Sequence, residues 1–345
     1  MRALALTAAG GPERLAVVEL PVPALTAPDQ VRLRMRAAAL NHLDLFVAAG
    51  LPGVEMTFPH VVGADGAGEV DAVGDAVRGF SPGDRVMINP GLSCGICGYC
   101  RTGEESCCTR FALLGEHRGG TVAEYVVVPA ANLAPVPEAM AWPQAAAFSL
   151  ATLTAWRMLT TRARVQPGES VLVWGAGGGV ALAAIRIGAL LGARVIATSG
   201  SAAKLAAARE AGAMETLDHS TQDVVAEVRA LTGGLGADIV VDSVGERTWP
   251  ASLRAMRRGG RLVICGATTG PNVSLDLRRL FWHQWSILGS TMGSRREYAE
   301  IVRLAHEGKL WPTVDRVVPL AASAEAFARL ARGEQTGKLV IEVAA

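Results

Sequence analysis

Five of the six cysteines fall within a stretch of fifteen residues, Cys94 to Cys108. Cys94, Cys97, Cys100 and Cys108 are separated by two, two and seven residues. Four thiolates at such short spacings can close a tetrahedron around one Zn²⁺. A site of that kind is coordinatively full, so it supports a loop and carries out no chemistry. Cys107 stands beside Cys108 and competes for the fourth position. In a long, enzyme-like chain, clustered cysteines favour metal over disulfides. Cys265 lies alone on an apolar strand and reads as packing rather than as a reactive thiol.

A second pattern could hold a dinucleotide. Val171-Leu172-Val173-Trp174 leads into Gly175-Ala176-Gly177-Gly178-Gly179-Val180-Ala181, and a helix of small and apolar residues follows to Gly192. Strand, glycine turn and helix are the context that a dinucleotide fingerprint requires. Glycines let backbone N–H groups approach a pyrophosphate, and the helix N-terminus favours its charge. The aligned pattern is Ala176-x-Gly178-x-x-Ala181, which departs from the strict form at both ends. About twenty residues further on, an acid should meet the ribose 2′-hydroxyl of NAD. The chain there reads Val195 to Ser201 without one. Ser199, at the tip of the second strand, leaves room for a 2′-phosphate and can donate to it, with Lys204 and His219 as further partners. The expected cofactor is therefore NADPH rather than NADH.

The elements that would position these groups fall into two blocks, and 345 residues suggest two domains. Residues 1–90 read as all-β, with Val31–Met35, Gly68–Val73 and Arg85–Ile88 as short strands between turn signals such as Ser81-Pro82-Gly83-Asp84. Residues 91–110 form the Cys/Gly loop, and another strand follows at Ala123–Val128. From about residue 150, Val171–Val173, Arg194–Thr198, Ile239–Asp242, Arg261–Cys265 and Ser286–Leu288 alternate with helical stretches. That alternation implies a parallel sheet covered on both faces. The chain returns to a strand at Lys338–Val343.

Lys plus Arg is 33 against 32 for Asp plus Glu, so no overall field would attract nucleic acid or an anionic membrane. Strand-like sequence begins at Met1, and no long uncharged apolar run lies outside the nucleotide region. No signal peptide or membrane anchor is expected, and the expected location is the cytoplasm.

Several segments carry a family resemblance. They are Ala39 to Asp44, Gly63 to Val70, Pro82 to Val86, Gly120 to Tyr125, the glycine loop, Asp238 to Gly245 and Gly337 to Val340. In order and spacing, over nearly the whole chain, they resemble the medium-chain dehydrogenase/reductase superfamily in its quinone oxidoreductase-like branch. The resemblance implies an α/β protein with a GroES-like, β-rich catalytic domain at 1–151 and 295–345. It also implies a structural zinc lobe at about 91–110 and a Rossmann, doubly wound parallel-sheet domain at 152–294. Its register selects Cys108 as the fourth zinc ligand.

The same resemblance places Asn41, Ala64 and Leu150 where zinc alcohol dehydrogenases of the superfamily hold their catalytic metal, and Leu43 where a relay hydroxyl stands. Alanine and leucine offer a metal nothing, and a neutral amide is a poor ligand. His42, His60 and Asp65 are the residues that could rebuild a site. Otherwise the resemblance gives His42 to the cofactor pyrophosphate and Thr154 to the nicotinamide face, with Trp156 on the same helix. Asp44 becomes an orienting acid, and Gly266, Gly289, Ser290 and Lys338 lie at the cofactor.

The expected reaction is hydride transfer from NADPH to the β-carbon of an α,β-unsaturated carbonyl, or to a quinone. Asn41, helped by Thr154, would hold the charge that develops on oxygen. One oriented donor is worth roughly 3–4 kcal/mol of barrier. Phe46, Met56, Phe58, Phe281, Trp282 and Trp285 suggest an apolar cleft. Ser286–Leu288 could pair with its own copy in a homodimer or a dimer of dimers. The competing expectations are a zinc-dependent alcohol or aldehyde dehydrogenase with a rebuilt metal site, and a cofactor-binding or sensor protein with little turnover.

Overall fold

A computed structural model describes residues 1–343. It divides into two compact units, Met1–Ala151 with Gly293–Ala345, and Thr152–Met292.

The first unit is built on the long strand Gln30–Ala39. Val31, Leu33 and Met35 are fully buried there, while Arg32, Arg34 and Arg36 point to the other face. That is the period of two that a half-buried strand requires. The outward arginines find acids on the neighbouring strand Asp65–Val73: Arg32 meets Asp71 at 2.6 Å and Arg36 meets Glu69 at 3.1 Å. The two strands approach so closely that a Cβ on Gly68 would lie 2.3 Å from the Arg34 carbonyl oxygen, so only glycine fits. Tyr125–Pro129 pairs along the early part of Gln30–Ala39, and Lys338–Glu342 pairs along its end.

One helix, His42–Ala49, interrupts a region whose residues read as all-β. Its start is specified locally. Asn41 is the N-cap, and the Asp44 carboxylate accepts the Asn41 backbone N–H at 2.7 Å, one half of a capping box. Eight residues with apolar positions on both faces give too little periodicity to reveal it.

The second unit is a six-stranded, fully parallel sheet. The spatial order is Glu215–Asp218, Arg194–Ser199, Ser170–Val173, Ala237–Asp242, Met256–Ile264 and Ser286–Gly289. In order of sequence this is 3-2-1-4-5-6, the doubly wound arrangement that binds dinucleotides at the carboxyl ends of its strands. The central strands Val171-Leu172-Val173 and Ile239-Val240-Val241 are buried on both faces, which explains their unbroken apolar runs. Met256–Ile264 begins earlier than the expected Arg261, and Ser286–Gly289 is an edge. Among the described residues, no helix is long and apolar enough to cross a membrane.

Candidate active site

Three buried side chains of the first unit form one polar cluster. Asp65 is fully buried, Lys338 is 4% exposed and Asn41 is 8% exposed. Lys338 Nζ donates to Asp65 Oδ2 at 2.9 Å and to Asn41 Oδ1. Asn41 Nδ2 donates to the same Asp65 oxygen at 2.9 Å, and the backbone N–H of Leu150 donates to Asp65 Oδ1 at 2.7 Å. A buried charge persists only when it is paired and hydrogen-bonded, and here both charges are. The sheet register makes the arrangement possible. Val340 stands opposite Ala39, so continuing the antiparallel pairing brings Lys338 across from Asn41.

Asp44 lies beside this cluster, 1% exposed. Its Oδ2 takes the Asn41 N–H, and its Oδ1 has no hydrogen-bond partner among the described residues. Burial pushes this carboxyl up to about 7, against the opposing pull of the Asn41 N–H and the Lys338 charge. A second buried pair, Ser149 and Tyr298, shares a hydrogen bond of 3.0 Å, and burial raises the phenol well above its ordinary value.

Ala64, which is fully buried, and Leu150 supply no donor atom to a metal. His60 is committed elsewhere, with Nε2 3.1 Å from the Gly115 carbonyl oxygen. Burial holds His42 below its ordinary pKa, and its ring packs edge-on to Phe46 at 6.0 Å. It can offer an N–H to an anion but brings no full charge at neutral pH. Lys338, expected at the cofactor, spends its ammonium on Asp65 and Asn41. Trp285, expected in the apolar cleft, lies in the core of the second unit. It stacks on His283 at 4.6 Å and donates its N–H to the Arg257 carbonyl oxygen at 2.9 Å. Phe281 and Trp282 are exposed on the helix Leu277–His283.

The cysteine lobe fits a metal. The sulfurs of Cys94, Cys97, Cys100 and Cys108 all lie within 4.8 Å of one another, with Cys97 to Cys100 at 3.5 Å and Cys94 to Cys100 at 3.9 Å. Zn–S bonds of about 2.3 Å in a tetrahedron require such separations. Backbone N–H groups point at the sulfurs, from Cys94 and Arg110 to Cys108 and from Cys97 to Cys94. Backbone hydrogen bonds from Ile96 and Cys97 pull the Cys94 thiol down to about 5, whereas burial and adjacent sulfurs push Cys100 up to about 11. Crowded thiols ionise together only when a cation balances them. Cys107 is exposed and outside the group, and Cys108 takes the fourth place in it. Among the described residues this is the only cluster of three or more candidate metal ligands.

In the second unit, the parallel sheet brings the expected nucleotide residues to one edge. Ala176, Gly177 and Gly178 follow the first strand, and Gly179 and Val180 open the helix Gly179–Leu190. Gly177 has φ +127°, a conformation that side chains rarely adopt. A Cβ there would also lie 2.5 Å from Lys204 Cδ, so the lysine stem runs across the glycine loop. Ser199 ends the second strand, and its Oγ accepts the Ser201 N–H at 3.2 Å, leaving its own proton free to donate. The His219 ring lies against Gly200, 3.3 Å from where a Cβ would stand. Gly266, Gly289 and Ser290 close the row at the ends of the fifth and sixth strands. The Ser290 hydroxyl is buried without a hydrogen-bond partner among the described residues, the kind of orphan that a bound dinucleotide would satisfy. Thr154 is buried on the helix Trp142–Arg157, with Oγ1 3.8 Å from the Met292 sulfur.

Two features escaped the sequence reading. One is the triad around Asp65, whose members lie far apart in sequence. The other is Arg247, whose charge adds to burial in lowering the pKa of His219. Neither has a local spacing signal.

Comparison with known proteins agrees with this architecture. Residues 27–138 match the alcohol dehydrogenase GroES-like domain, and residues 179–307 match the zinc-binding dehydrogenase family. A protein named NAD-dependent alcohol dehydrogenase from Sulfurisphaera tokodaii is 31% identical, with 99% of each chain covered. A quinone oxidoreductase from Pseudomonas aeruginosa is 32% identical, with 96% of each chain covered. A crystal structure described as an NAD-dependent alcohol dehydrogenase is 50% identical over the full length of both chains, with a TM-score of 0.96. With a GroES-like domain, a doubly wound nucleotide domain and full-length likeness to dehydrogenases and quinone reductases, the chain belongs to the medium-chain dehydrogenase/reductase superfamily and is an oxidoreductase.

Proposed function

We propose that the protein is an NADPH-dependent reductase that passes hydride to an activated acceptor, an α,β-unsaturated carbonyl or a quinone, without a catalytic metal. The observation that carries this reading is the Asn41 cluster. Asn41, Ala64 and Leu150 present one amide, one methyl and one isobutyl group, and Lys338 and Asp65 already occupy the amide. A divalent cation would find no adequate donor set there. A carboxamide has two N–H bonds, of which Asp65 uses one. The other can donate to an acceptor oxygen as it gains charge. That suits an acceptor which is already electron-poor, since a saturated ketone needs a stronger electrophile. A dinucleotide held at the glycine loop would supply the hydride, and water can supply the proton that completes the two-electron reduction.

The preference for NADPH rests on Ser199, Lys204 and His219, with the charge of Arg247 felt at His219. Asp218, the register partner of Ser199 on the neighbouring strand, is tied to Ser220 Oγ and N–H. The relatives named NAD-dependent support the opposite preference, and with it a second reading, alcohol oxidation. Steady-state turnover separates the two. The reductase reading expects NADPH oxidation with 1,4-naphthoquinone or cyclohexenone and negligible oxidation of simple alcohols. Alcohol oxidation together with two zinc ions per chain would overturn it.

One structural zinc in the cysteine lobe belongs to the same proposal. So does a homodimer or tetramer assembled through the open edge Ser286–Gly289. Light scattering that gives a monomer mass would defeat the latter.

A further inference from the structure

We propose that Lys338 is a positioning residue that acts as the site's fixed cation, orienting the Asn41 amide and strengthening its remaining N–H as a donor to the substrate oxygen. This rests on the reductase reading above, which uses Lys338 only to exclude a metal, and gives that residue a part in the reaction.

The geometry fixes which way the amide points. Its carbonyl oxygen accepts from Lys338 Nζ, and its nitrogen donates to Asp65 Oδ2. Flipped, the amide would set N–H against ammonium and oxygen against carboxylate, two repulsive contacts in a buried site. The free N–H therefore has one direction. An ammonium bonded to the carbonyl oxygen draws the nitrogen lone pair toward the carbonyl and leaves the N–H more acidic, and hydrogen-bonded chains strengthen cooperatively in this way. Burial keeps the effect unscreened, since Lys338 and Asp65 are 4% and 0% exposed. Among the described residues, no other acid pairs with Lys338. A fixed cation is thus held behind the Asn41 amide, one side chain removed from the substrate oxygen.

The test compares Lys338→Met with the double variant Lys338→Met/Asp65→Asn, using NADPH with 1,4-naphthoquinone and with cyclohexenone. The single variant leaves Asp65 as a lone buried charge and should lose stability. The double variant removes both charges and should recover Tm. The role proposed here expects kcat to stay at least about ten-fold below the parent in the double variant, with KM for NADPH little changed. A purely structural role expects kcat to return with Tm, and that result would overturn the proposal. Should the single variant fail to fold, the double variant alone decides. A parent enzyme that reduces neither acceptor defeats the reductase reading itself, and Lys338's role falls with it. A parent that reduces them and a double variant that matches it defeat only the role of Lys338.

Discussion

Asp65 accepts the backbone N–H of Leu150 at 2.7 Å, within the helix Trp142–Arg157. This bond leaves the other carboxylate oxygen to Lys338 and Asn41, so one buried acid sets the direction of every polar group in the cluster.

Asn41 is the group expected to meet the substrate oxygen. Asn41→Ala should lower kcat about 100-fold, with NADPH affinity unchanged. Stopped-flow hydride transfer measures the first and fluorescence titration the second. An unchanged rate removes Asn41 from the mechanism.

Asp44 makes stability depend on pH. Its folded pKa of about 7 lies above the ordinary carboxylate value of 3.8. Between those limits the folded state holds a proton that the unfolded state has lost. Stability from this group is therefore full below about pH 4 and is lost as pH rises through about 7, by an amount on the order of a few kcal/mol. Thermal melts from pH 5 to 8 should show Tm falling in the parent and a flatter profile in Asp44→Asn, whose side chain can still accept the Asn41 N–H. Parallel profiles would contradict the assignment.

Ser199 should set the choice of cofactor. Ser199→Asp places a carboxylate where the 2′-phosphate would lie, and repulsion should move the ratio of kcat/KM for NADPH over NADH by at least about ten-fold toward NADH. If the parent already prefers NADH, the reading of this rim is wrong.

The cysteine lobe should hold one zinc per chain. Cys97→Ser should lose it and lower Tm by on the order of 10 °C, while Cys107→Ser should leave metal content and Tm alone. Elemental analysis of both variants distinguishes Cys108 from Cys107 as the fourth ligand.

What the sequence made legible is what it encodes locally. The clustered cysteines lie within fifteen residues, and their spacing marks a four-thiolate lobe in which Cys107 and Cys108 compete for the last place; the family register, not the spacing, selects Cys108. The glycine loop sits between its strand and its helix, and alternating strands and helices imply a parallel sheet covered on both faces. The helix His42–Ala49 was missed because its cap, Asn41, was weighed as a catalytic position rather than as a helix start. Trp285 was misread because an aromatic side chain carries no sign of which way it faces. The partner of Lys338 was beyond reading, since it depends on the pairing of two strands almost three hundred residues apart.

That last separation bears on how the protein is made. Lys338 and Asn41 are 297 positions apart, and the strand Lys338–Glu342 completes the sheet around Gln30–Ala39. On the ribosome, the nucleotide-binding unit has its whole sequence before the first unit receives its last strand. Until then Asp65 lacks the Lys338 ammonium that pairs with it in the finished fold. A nascent chain that stops short of residue 338 can thus form a dinucleotide fold, but not the polar cluster beside Asn41.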